Sequence, residues 1–108
     1  MKPDQIDVLR RLALSDERTM THVMTGGVHE FHTLDSRTVA LLRIAALVGV
    51  MPDVASYKSA MDKAHAAGVE DEDIFGAVMV VAPIVGSARL SSELPHLMAA
   101  LDLEVIED

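Results

Sequence analysis

The chain of 108 residues contains no cysteine. That excludes a disulfide framework, a zinc–thiolate centre, an iron–sulfur cluster and any thiol redox chemistry. Tryptophan is also absent, and aromatic side chains amount to 3% of the residues: Phe31, Tyr57 and Phe75. Basic residues are scarce, nine against seventeen acidic ones, for a net charge of −8. A surface of that sign repels polyphosphate, so neither nucleic acid nor an anionic membrane is an expected partner. Long apolar runs are missing too. The longest, residues 39–51 and 77–85, fall short of the ~20 needed to span a bilayer, and Arg43 interrupts the first. Met1-Lys2-Pro3-Asp4-Gln5 puts an acid and a proline where a signal peptide would carry an apolar run. The expectation is a soluble, cytoplasmic protein.

What is there is aliphatic. Hydrophobic residues make up 50% of the chain, supplied by Ala, Val, Leu, Ile and seven Met, a composition that suits close-packed helices. Apolar spacing is helical nearly throughout, which predicts an all-α fold of five or six helices in a single domain over residues 1–108. A first helix is expected over 3–14. A second is expected to be capped by Ser15 and to stop at Gly26-Gly27. Asp35 reads as the N-cap of a helix over 36–50 that is apolar on almost every side and so expected to be buried all round, in a chain this small by subunit contacts. An amphipathic helix over 53–67 ends at Gly68. The run Glu70-Asp71-Glu72-Asp73 lacks calcium-loop spacing and reads as acids complementing the dipole of the next helix. Pro83 predicts a kink or break in that helix, and Pro95 a bend or split in the last, over 88–101.

Candidate chemistry rests on few residues. His29 and His32, with Glu30 between them, supply at most part of a metal site, so no metal and no cofactor is expected. As acid–base groups His22, His29 and His32 are better placed, because imidazole titrates near neutral pH. His65 and His96 read as surface residues. Tyr57, beside Ser56, offers a phenol to a ligand or is a core ring with a satisfied hydroxyl. Arg43 lies between Leu42 and Ile44 and, if buried, needs an acid partner: a substrate carboxylate, or a structural or intersubunit ion pair. Arg89, near a helix start, has the same two readings.

Leu34-Asp-Ser-Arg-Thr38, then Ala64-His-Ala-Ala-Gly-Val69, then Glu72-Asp-Ile74 follow one another in an order that resembles the carboxymuconolactone decarboxylase and alkylhydroperoxidase D-like family over roughly residues 34–101. Residues 80–89 look similar to cysteine-free members of it. The resemblance implies an all-helical unit that assembles as a homotrimer or homohexamer, with paired helices packing across subunits. It does not carry the family's catalytic groups. Asp53 and Ser56 stand where the peroxidases have a C-x-x-C pair, Ala60 where a histidine follows, and Ala40 or Leu41 where a glutamate relays protons. Serine and aspartate cannot cycle between dithiol and disulfide, so thiol peroxidase activity is rejected.

Two functions remain. One is a non-redox oligomeric module that binds a small carboxylate or apolar ligand, or simply its own subunits. The other is a cofactor-free lyase or isomerase using His22, His29, His32 and Tyr57 as acid–base groups, with Arg43, Ser56 and Arg89 as ligand-binding residues.

Overall fold

The computed structural model describes residues 1–26 and 32–106, and places them in two compact units, residues 1–34 and 35–108. The described residues form six α-helices and no strand. None of these helices is long and apolar enough to cross a membrane.

The first unit is a pair of short helices, α1 (Pro3–Ala13) and α2 (Glu17–Met24). Pro3 opens α1 at a position where its missing N–H is no loss. The cap of α2 is Asp16 rather than Ser15: its Oδ2 accepts the Thr19 N–H at 3.0 Å and the Thr19 hydroxyl at 2.6 Å. Ser15 instead terminates α1, with a left-handed φ of 58°. Its N–H returns to Leu12 O, and the Asp16 N–H to Arg11 O. This paired 5→2 and 6→1 bonding is a Schellman stop. Ser15 and Asp16 are both good capping residues, so the residue types alone do not decide which one caps.

The second unit contains α3 (Ser36–Val50), α4 (Val54–Ala66), α5 (Asp71–Val85) and α6 (Ser87–Ala100). Asp35 and Asp53 cap α3 and α4 by accepting the N–H groups of Thr38 and Ser56, at 2.7 and 2.8 Å. At α5, Asp73 reaches back to the Glu70 N–H at 3.0 Å, so the acidic run works as a helix start. Gly68, with φ +84°, closes α4 in another Schellman stop: its N–H bonds His65 O, and the Val69 N–H bonds Ala64 O.

Three long-range links fix how the four helices run. Arg37, at the start of α3, pairs with Asp73 at the start of α5, 2.8 Å apart. Arg89, at the start of α6, donates to the Gly49 carbonyl at the end of α3, 2.7 Å away. Since α6 begins where α5 ends, α3 and α5 run parallel. Tyr57, in the first turns of α4, bonds Glu93 of α6, so α4 and α6 also run parallel, opposite to the first pair. The unit is therefore two helical hairpins, α3–α4 and α5–α6, laid side by side. Ile44, Val48, Tyr57, Met61, Ala64, Ile74, Val78 and Leu97 form the core between them, with Val69 from the loop after α4.

Helix α3 buries one face within the chain, through Ala40, Ile44 and Val48, while Leu42, Ala46 and Val50 are exposed and Arg43 with them. Helices α5 and α6 also run on through Pro83 and Pro95 without a break. Each proline removes the donor for the carbonyl four residues back, of Met79 and of Ser91. Those residues and both prolines lie on exposed sides, where water can satisfy the freed oxygen. The break comes instead at Gly86, whose φ of 92° ends α5.

Candidate functional site

The polar cluster of the second unit is built on α4 and α6. An apolar stripe along α6, Leu90, Leu94, Leu97 and Leu101, faces the other helices, and Glu93 falls within it. Glu93 is 1% exposed, and Tyr57, from the core-facing side of α4, is wholly buried. The Tyr57 hydroxyl donates to Glu93 Oε1 at 2.9 Å. On the next turn of α6, His96 places Nδ1 3.6 Å from Glu93 Oε2, which is ion-pair range but too long for a hydrogen bond. The imidazole is about half exposed, with its side chain at 48%.

Burial raises the pKa of the Tyr57 phenol well above its ordinary value, and the hydrogen bond to Glu93 and that group's negative charge add to the effect. Tyr57 therefore stays a neutral donor at neutral pH. The arrangement sets a carboxylate between a buried phenol, to which it is hydrogen-bonded, and a surface imidazole within ion-pair range. It holds no metal set. Among the described residues no group of three or more His, Asp or Glu is placed to bind an ion.

The other expected site residues lie elsewhere. His29 falls outside the described residues. His22 and His32 belong to the first unit. His22 lines an open groove of ≈ 700 Å³ beside Arg11, Arg18, Thr21 and Thr25. His32 lies at the edge of a second groove, ≈ 810 Å³, with Leu9, Leu12 and Val23, and its Nδ1 accepts the Leu34 N–H at 3.1 Å. Arg43 is exposed on α3 and makes no ion pair within the chain among the described residues. Ser56 is an exposed first-turn residue held by the Asp53 cap. Arg89 is paired with no carboxylate among the described residues. It neutralises the carbonyl end of α3, where a helix dipole favours a cation. His65, read as a surface residue, is one, paired with Asp71 at 2.7 Å.

Glu93 is the residue that sequence reasoning missed, along with its link to His96. One signal was available: an acid three residues after Leu90 and four before Leu97 occupies a position that helical spacing assigns to the core. Comparison of the chain with family models, curated proteins and solved structures gave no significant match.

Proposed function

We propose that the chain is a cysteine-free relative of the carboxymuconolactone decarboxylase and alkylhydroperoxidase D-like proteins that has no peroxidase chemistry and works as a self-assembling helical module, a homotrimer or homohexamer, able to take up a small carboxylate or apolar ligand. The observation that carries the assembly is the outer face of α5. Phe75, Met79, Val80 and Ile84 are 64%, 45%, 74% and 86% exposed, and α3 adds Leu42 and Val50 at 55% and 69%. Isolated apolar residues on a surface are ordinary, but a run of them along one helix marks an association face.

Sedimentation velocity at micromolar concentration is expected to give an oligomer, and Val80→Asp with Ile84→Asp to convert it to monomers of unchanged helicity. A wild-type chain that stays monomeric would remove the assembly reading. For the ligand, a series of small carboxylates is expected to raise the melting temperature, since binding to the native state alone must do so.

The Tyr57–Glu93–His96 arrangement favours the second reading, a cofactor-free lyase or isomerase in which these groups move a proton. That reading expects turnover of a small carboxylate substrate to be lost in both Tyr57→Phe and His96→Gln, with the fold intact by circular dichroism. Turnover that survives both substitutions would exclude it.

A further inference from the structure

Beyond Leu101, which packs against the core, residues 102–106 after α6 are exposed. Two Schellman stops in the second unit can be compared. After α4, the residue following left-handed Gly68 is Val69, which is 3% exposed and lies in the core cluster, the apolar contact this motif ordinarily makes. After α6, Asp102 takes the left-handed position with φ 58°. Its N–H bonds Ala99 O at 3.1 Å, and the Leu103 N–H bonds Met98 O at 2.8 Å. The hydrogen bonding is the same, yet Leu103 is 54% exposed, followed by Val105 at 62% and Ile106 at 78%. Two hydrogen bonds aim this apolar segment, and its own chain leaves it uncovered.

We propose that residues 103–106 form an arm that docks on the outer face of α3 in a second copy of this chain. The proposal rests on the assembly reading above and adds which surfaces meet. Charge selects between the two exposed apolar faces. The arm is acidic, carrying Asp102 and Glu104. The face of α5 begins at Asp71, Glu72 and Asp73 and carries no basic residue to meet it. The face of α3 presents Leu42, Ala46 and Val50 around Arg43, an exposed guanidinium with no ion pair among the described residues. Glu104 can then pair with Arg43, a contact that sets register more than affinity, while apolar side chains of the arm meet Leu42, Ala46 and Val50.

Sedimentation velocity over a concentration series on the full chain tests this, with wild type, Arg43→Glu, Glu104→Arg, the double reversal, and Val105→Ser with Ile106→Ser. Each single reversal and the serine pair are expected to weaken association by roughly tenfold, and the double reversal to recover it. Circular dichroism checks that every variant is folded. A wild-type chain that is monomeric throughout overturns the assembly reading and the arm with it. An oligomer indifferent to all the arm substitutions overturns the arm alone. Loss of association that the double reversal fails to restore overturns the assignment of α3 as its seat.

Discussion

Tyr57 is the only tyrosine in a chain without tryptophan, so its phenolate absorbance reports one side chain alone. Its folded pKa is raised above the ordinary phenol value. The stability tied to its proton is therefore complete below about pH 10 and is lost as pH rises beyond it. An alkaline titration is expected to show no phenolate near pH 10 while the protein stays folded, then an abrupt rise coincident with loss of helicity. A smooth titration near pH 10 with the helices intact would mean that solvent reaches the hydroxyl. Removing that hydroxyl in Tyr57→Phe takes away the donor to a buried carboxyl group and is expected to cost about 1–3 kcal/mol in urea unfolding. Replacing both partners, Tyr57→Phe with Glu93→Leu, is expected to cost less than the sum of the two single changes, because no polar group is then left unmatched.

Among the helices, starts and stops are where residue type and conformation agree most closely. Gly68 holds φ +84° with nothing within 4 Å of where a Cβ would stand, so Gly68→Ala meets only the left-handed backbone penalty, about 1–2 kcal/mol by urea unfolding. Asp102→Gly is expected to raise stability by relieving the same penalty at the end of α6. The helix caps give the acid limb of the pH profile. The Thr19 hydroxyl and N–H hold the Asp16 carboxyl below its usual range, the Thr38 N–H does so for Asp35, the Ser56 hydroxyl and N–H for Asp53, and the Glu70 N–H for Asp73. Each contribution is present above about pH 4 and disappears as pH falls below it, so helicity should decline on that side too. Capping by Asp35, the stop at Gly68 and the acidic start of α5 were legible because each depends on neighbours three or four residues away. Glu93 was not, because its partner Tyr57 lies 36 residues off and only the folded hairpins bring them together. The partner of Arg43 was not legible for a related reason: an apolar helix has the same spacing whether its outer face meets water or another subunit.

For the molecule as a whole, the burial is unevenly divided. The buried hydrophobic residues among those described all lie in the second unit, whereas the first buries Thr19 and nothing from α1. A fragment of residues 35–108 is therefore expected to unfold cooperatively in urea, and one of residues 1–34 to show little helicity alone, since helices this short are marginal without a core. Circular dichroism on the two fragments distinguishes this from a chain in which neither part folds alone. The parallel placement of the two hairpins also has a consequence for synthesis. Arg37 to Asp73 and Tyr57 to Glu93 are each separated by 36 residues, so neither link can close until the chain has run on into the second hairpin. At about 5–20 residues per second the ribosome takes roughly 2–7 s to add that length. For that interval the nascent α3–α4 hairpin carries Ile44, Val48, Met61 and Ala64 uncovered, an apolar surface of the kind that chaperones hold and that the second hairpin later covers.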